Sequence, residues 1–302
     1  TQTAQLAGLL RSAGANVAIV QTNAPYRPAA IGAVPVLRAL ARLLPYLWAL
    51  WRAAGRADVF HVMANSGWSW HLFAAPAVWI ARARAVPVIV NYRGGEAESF
   101  LQRSSRLVRF TMRRVARLVV PSGFLEQIFA RHGMTGVVVP NIVDLARFRP
   151  AASGEKSVTP ALLVARNLEP LYDNATALRA FAAIHQVHGD ARLVVAGTGP
   201  EAASLARLTA ELGIEAAVRF TGRIDRDEMA ALLRSCTLVL NPSLVDNMPN
   251  SVLEALASGV PVVSTDVGGV PFIVDDGVTA LLVPPRDPQA MAAAVLRLLG
   301  DP

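Results

Sequence analysis

Apolar residues in this chain come in short, nearly continuous runs, separated by longer amphipathic stretches. In the first half NVAIVQT (16–22), DVFHVMA (58–64), VPVIVNY (86–92), RLVVPS (117–122) and GVVVP (136–140) read as strands. Helical patterns fill the opening TQTAQLAGLLRSAG, 34–55 (expected to break at Pro45), 68–84, about 99–115, and 123–133. The second half repeats the alternation. ALLVAR (161–166), RLVVAG (192–197), VRFTG (218–222), TLVLNPS (237–243), VPVVST (260–265) and ALLVP (280–284) read as strands. Helices are expected near 173–188, 200–213, 225–235, 249–258 and 287–299. Strands that are apolar throughout, rather than at every second residue, indicate a parallel sheet covered on both faces. RFRPAASGEKSVTP (147–160) gathers Pro, Gly, Ser and charge, and is the natural linker. The pattern therefore predicts an α/β protein of two Rossmann-like, doubly wound domains, 1–150 and 151–302, facing across a cleft.

Charge sharpens this division. Residues 1–150 hold 18 Arg against 5 acids, a net of +13, whereas residues 151–302 have a net of −6. The basic half is expected to meet something anionic. With 53% hydrophobic residues and no long uncharged apolar run, no spanning helix is expected. The single cysteine, Cys236, sits beside the apolar run TLVL, and no signal peptide is visible. Both fit a buried structural thiol and a cytoplasmic location. The chain opens at Thr1 in a helical pattern and stops at Pro302 just after another, so truncation at both ends is expected.

Ligands of open α/β sheets bind beyond the carboxyl ends of the strands, so the loops there are the informative ones. LVDNMPNSVLEALASG (244–259) follows a buried strand and places Glu254 inside an apolar helix. A carboxylate is seldom buried without a partner. Glu254 is therefore either paired within the protein or kept for a polar ligand. Asp246 lies eight residues earlier, at the mouth of the loop; it could equally be a simple cap. Pro249 suits a first helical turn, whose free N–H groups attract anions such as a diphosphate. Arg166 stands where a strand passes into a loop, as a phosphate-holding fork or as a plain surface residue. AGTGPE (196–201) and TDVGGVP (265–271) resemble phosphate turns, though plain tight turns explain them as well. Asp225 and Asp227 suit a helix start better than a metal site, and no His/Cys cluster has zinc spacing. Among the histidines only His61, at a strand end, is placed like a site residue.

The stretch 37–56 carries Arg38, Arg42, Arg52 and Arg56 on one helical face. That layout suits a helix lying on anionic lipid, or an ordinary exterior helix with its apolar side on the core. SSRLVRFTMRRVARL (104–118) adds five more Arg, but no stacking platform accompanies them, so nucleic acid is not expected as a partner.

Taken together, VARN (164–167), AGTGPE, FTGRI (220–224), NPSLVDNMPNSVLEALASGVPVVSTDVGGVP (241–271), LLVPPRDP (281–288) and VVPNIVD (138–144) resemble family 4 glycosyltransferases of the GT-B fold over nearly the whole chain. The resemblance implies a retaining enzyme that moves a hexose from a nucleotide-diphosphate sugar to a saccharide or lipid-linked acceptor, without metal or other cofactor. The first domain would bind the acceptor and the second the donor. The family's Glu-x7-Glu motif maps onto Asp246 and Glu254. By resemblance Glu254 would hold the ribose hydroxyls and Asp246 the donor sugar. Arg166 and the helix start at Met248, Pro249, Asn250 and Ser251 would hold the diphosphate, with Gly222 and Arg223 near the base. His61 and Arg93 would lie on the acceptor or donor-sugar side. The sequence departs from the family in three places. Asp246 is shorter than the usual Glu. Leu171 and Tyr172 stand where a phosphate-binding Lys is expected. Arg93, in NYRGGE, replaces a histidine and is too basic to act as a proton acceptor. The family's first strand would lie before Thr1, and its terminal helices after Pro302. The absent Lys favours a second reading, a non-catalytic nucleotide-sugar-binding or scaffold protein on the same fold. A dinucleotide-dependent oxidoreductase fits less well, because no complete G-x-G-x-x-G follows a strand with an acid about 20 residues on. A peripheral station on the inner face of the cytoplasmic membrane, through 37–56, is the expectation from the basic helix.

Overall fold

The computed structural model describes residues 2–22, 35–152, 154, 157 and 159–300. The chain divides into two compact units, Thr1–Ile142 and Val143–Pro302. The division falls upstream of the expected position at 150, because Phe148 is buried in the core of the second unit.

The first unit runs α1 (Gln2–Ser12), α2 (Pro35–Ala54), β1 (Phe60–Ala64), a π-helical turn (Trp70–Ala74) leading into α3 (Ala75–Ala83), β2 (Val88–Tyr92), α4 (Ala97–Met112), β3 (Arg117–Val120), α5 (Gly123–Arg131) and β4 (Val137–Val138). Its four strands pair in parallel in chain order. Val88, Val90 and Tyr92 of β2 are buried with Leu101, Val108 and Phe129 from the covering helices. Two expectations are corrected here. NVAIVQT forms no strand; only Val20 packs partly on the core and Ile19 is exposed. A strand needs a neighbour to take its backbone N–H and C=O groups, and among the described residues β1 pairs only with β2. Nor does Pro45 break α2, which continues through it. One hydrogen bond is lost there, but Tyr46, Leu50 and Ala54 anchor the following turns on the core.

The second unit runs β5 (Ala161–Val164), a 3₁₀ turn (Pro170–Tyr172), α6 (Asn174–Val187), β6 (Arg192–Ala196), α7 (Ala202–Glu211), β7 (Val218–Gly222), α8 (Arg226–Ser235), β8 (Leu238–Asn241), α9 (Asn250–Ala257), β9 (Val262–Thr265), β10 (Leu281–Val283) and α10 (Pro288–Gly300). The sheet is parallel, in the order β10-β9-β8-β5-β6-β7. Both faces are buried, which is why β5 reads as an unbroken apolar run. Leu162 and Val164 face Phe181, Ile184 and Met291 on one side. Leu163 belongs to the opposite core with Val239, Val252 and Val262. From β5 the chain winds outward through β6 and β7, then returns to place β8 on the other side. The order in which strands are added therefore reverses between the parallel neighbours β5 and β8, the switch point at whose carboxyl ends such sheets bind ligands.

Candidate functional site

Arg166 follows β5 and Asp246 follows β8, so the two strands at the switch point deliver both residues to one place. Arg166 Nη2 donates to Asp246 Oδ2 in an ion pair, and the two side chains are only 10% and 11% exposed. Arg166 Nη1 reaches Ser251 Oγ at 3.4 Å, at the start of α9. The guanidinium lies over the Tyr172 ring, 4.1 Å from its centroid. Arg166 Nε is buried without a partner. Burial pushes the Asp246 carboxyl above its ordinary range, although the Arg166 charge, foremost, and a hydrogen bond from the Asn247 backbone oppose this.

The loop carrying Asp246 is fixed from beneath. Ser243 Oγ donates to Asn241 Oδ1 at 3.0 Å, Asn241 Nδ2 to Ser264 Oγ at 2.9 Å, and Thr265 Oγ1 to the Ser243 carbonyl at 2.6 Å. All four side chains are buried, so each hydrogen bond satisfies a group that water cannot reach. The two glycine-rich turns press against this frame and against the β5 loop. A Cβ on Gly269 would sit 1.8 Å from the Asn247 carbonyl oxygen, and Gly269 N–H donates to the Asp246 carbonyl at 2.7 Å. A Cβ on Gly197 would meet the Arg166 carbonyl oxygen at 2.0 Å. In this structure both turns serve backbone packing behind the two charged residues.

Glu254 lies one turn inside α9 and is only partly exposed. Among the described residues its carboxylate makes no hydrogen bond or ion pair. Burial raises its pKa to about 7, with the Arg226 charge pulling the other way. Met248, Pro249 and Ser251 are buried around the α9 start, which has no side-chain cap. Gly222 and Arg223 are set apart from this cluster. Gly222 ends β7, the edge strand two positions from β5, and Arg223 follows it, exposed.

The acids of GRIDRDEM act as a helix start. Asp225 Oδ1 accepts from the Asp227 and Glu228 N–H groups at 2.9 Å each, and Glu228 accepts from Asp225 N–H at 2.8 Å. Among the described residues no group of three His, Cys, Asp or Glu is placed to hold a metal. Cys236 is buried.

A second polar cluster sits in the first unit: Asn91 and Arg93 are at the carboxyl end of β2, whereas His61, expected at a strand end, is the second residue of β1 and reaches the cluster from that strand's amino half. Arg93 Nε donates to Asn91 Oδ1 at 3.0 Å, and Arg93 Nη1 donates to Asn141 Oδ1. With Asn91 Oδ1 so engaged, its amide NH₂ faces His61 Nε2 at 3.2 Å. His61 Nε2 is therefore an acceptor and the ring is neutral. Partial burial, then the Arg93 charge, lower the His61 pKa, which favours the same state. The structure thus joins His61 to Arg93 through Asn91. Asn91 and Asn141 were missed by sequence reasoning. The available signal was a polar residue closing an apolar strand, and Asn91 is indeed buried.

Residues 1–142 match the glycosyl transferase 4-like domain and residues 159–301 match glycosyl transferases group 1. D-inositol 3-phosphate glycosyltransferase of Salinispora arenicola is 31% identical over 282 residues, covering 83% of this chain and 62% of that protein. Glycogen synthase of Mycobacterium tuberculosis is 28% identical over 259 residues, covering 82% of this chain and 61% of its own. The chain therefore spans about three fifths of the length of these curated relatives. Among solved structures, Anabaena Alr3699/HepE in complex with UDP and glucose has a TM-score of 0.73 at 22% identity, covering 87% of this chain and 74% of that one. At that identity the likeness is one of fold.

Proposed function

The chain belongs to the group 1 (family 4) glycosyl transferases of the GT-B fold, and from that premise we propose that it transfers a hexose, with retention, from a nucleotide-diphosphate sugar to a hydroxyl of a saccharide or lipid-linked acceptor in polysaccharide synthesis. The observation that carries the reading is Glu254, a partly buried carboxylate in the helix that follows β8, with no hydrogen bond or ion pair among the described residues and only the more distant Arg226 charge acting on it. Vicinal ribose hydroxyls would supply the hydrogen bonds it lacks. Arg166 and the start of α9 at Met248, Pro249, Asn250 and Ser251, where Pro249 itself has no N–H to donate, would take the diphosphate, and Asp246 the sugar hydroxyls. Gly222 and Arg223 would lie on the base side. The acceptor would attack from the face the diphosphate leaves, and a departing phosphate oxygen would take its proton. Arg166 and the helix start would stabilise the charge on the leaving group, with no metal required. His61 and Arg93, with Asn91 and Asn141, would serve the acceptor or the donor sugar from the first unit.

UDP occurs in the Anabaena structure, so uridine donors are the first to test. Calorimetry with UDP- and GDP-sugars, followed by transfer and donor-hydrolysis assays, is expected to give binding with turnover. Binding without turnover in the full-length gene product favours the scaffold reading; no binding removes both.

The first unit supports a peripheral membrane station. On α2, Leu44, Trp48 and Trp51 are exposed along one stripe, at 62%, 63% and 44%. Arg84 lies over Trp51, while Arg114 covers both Trp79 and Phe110. Interfacial Trp flanked by Arg suits an anionic lipid surface. The Arg38 and Arg42 side chains lie outside the described residues. No described helix is long and apolar enough to cross a membrane. Flotation with anionic but not neutral liposomes is the expected outcome.

A further inference from the structure

Arg166 is held in two different ways. The first is with its edge: Nη2 donates to the Asp246 carboxylate, and Nη1 more weakly to Ser251 Oγ at 3.4 Å. The other is with its face: the guanidinium lies on the Tyr172 ring, 4.1 Å from the centroid. The edge is where an anionic ligand would have to bind, so a ligand and Asp246 compete for it. The face is not contested, because a ring offers a phosphate nothing.

Tyr172 is fixed independently of that ion pair. It closes the 3₁₀ turn, and its N–H donates to the Glu169 carbonyl at 2.9 Å. The carbonyl of the preceding residue, Leu171, accepts from Leu244 N–H at 2.9 Å, tying the turn to the loop that carries Asp246. Asp173 follows in a left-handed conformation, φ 40°, and its carboxylate accepts from Thr176 Oγ1 at 2.7 Å. Asn174 Nδ2 then donates back to the Asn167 carbonyl at 2.9 Å, beside Arg166. None of these bonds involves the Asp246 carboxylate. The shelf would therefore persist if Arg166 changed its partner.

We infer that Tyr172 is a positioning residue: its ring keeps the Arg166 guanidinium in place while the edge passes from Asp246 to the phosphate oxygens of a nucleoside diphosphate. Asp246 is then an exchangeable counter-ion. Without ligand it neutralises a nearly buried cation. With ligand it is released, and its oxygens turn to the sugar hydroxyls next to the diphosphate. The exchange moves a charge-assisted hydrogen bond from a carboxylate to a phosphate and leaves no buried cation unpaired at either end. The inference rests on the donor-site reading above and adds to it an order of contacts and a residue that no other observation assigns.

The two halves predict opposite signs in one experiment. UDP and GDP affinity is measured by calorimetry on the full chain, and kcat and KM with the corresponding sugars. Tyr172→Phe keeps the ring and is expected to match the parent. Tyr172→Leu keeps an apolar side chain without the π face, and should weaken diphosphate binding about 10-fold. Asp246→Asn frees Arg166 from its competitor, so bare diphosphate should bind on the order of 5-fold tighter while transfer falls. A purely structural role for Tyr172 would lower the melting temperature and leave the affinity of the folded protein alone. Parent-like affinity in Tyr172→Leu, or weaker diphosphate binding in Asp246→Asn, overturns the inference while the transferase reading stands. A parent that binds neither diphosphate overturns both.

Discussion

Replacing Glu254 by Gln should stabilise the unliganded protein, and only above acidic pH. The Glu254 carboxylate makes no hydrogen bond or ion pair among the described residues, and burial raises its pKa from 4.5 to about 7. At 1.36 kcal/mol for each pKa unit, that rise corresponds to about 3 kcal/mol of preference for the protonated form in the folded state. Below pH 4.5 both folded and unfolded chains carry the proton, and the ionised form costs nothing. Between pH 4.5 and 7 the folded chain holds its proton more tightly than the unfolded chain, so stability falls as pH rises. Above pH 7 the full cost of the buried charge is present. Glutamine is neutral throughout. The variant should match the parent at pH 4.5 and exceed it by about 3 kcal/mol at pH 8, or about 10 °C in melting temperature for a unit of this size. Thermal unfolding followed by circular dichroism, from pH 4.5 to 8.5, measures the difference between the two curves and so isolates this one group. The same series with UDP or GDP present adds a second signature: nucleotide should raise the melting temperature of the parent more than that of the variant, because the carboxylate is the better acceptor for ribose hydroxyls. Parallel curves at all pH values would show that Glu254 is already compensated within the protein, and the argument for its role would fail.

Two further substitutions test the frame around the site. Gly269→Ala places a Cβ 1.8 Å from the Asn247 carbonyl oxygen, which belongs to backbone and cannot swing away. It should cost about 3 kcal/mol in urea unfolding and abolish nucleotide binding by displacing the Asp246 loop. Asp225→Ala removes the acceptor for two N–H groups at the start of α8, and should lower stability by about 1 kcal/mol without changing transfer or making it sensitive to EDTA.

Much of the fold was legible because its rules are local. An unbroken apolar run such as ALLV can be satisfied only where both faces are covered, so parallel strands and covering helices follow from the run itself. The capping box at Asp225 and Glu228 was equally readable, since both partners lie within one turn. Glu254 stood out for the same reason: its apolar neighbours are adjacent in the chain. Where local pattern misled, a missing long-range partner explains it. NVAIVQT has the composition of a strand, but among the described residues no neighbouring strand takes its hydrogen bonds.

The sequence by itself determined two α/β units, their elements other than the NVAIVQT strand to within a few residues, and the anomalous carboxylate of Glu254. Tertiary structure decided what meets what. Residues 166 and 246 are 80 apart in the chain, and they touch only because the return crossover sets β8 beside β5. The same long-range packing put an aromatic shelf under Arg166 and drew Asn91 and Asn141 around Arg93. Hydrophobic periodicity reports which side of an element is buried. It carries no record of strand order or of which distant loop arrives at a given strand end, because those depend on how whole layers pack.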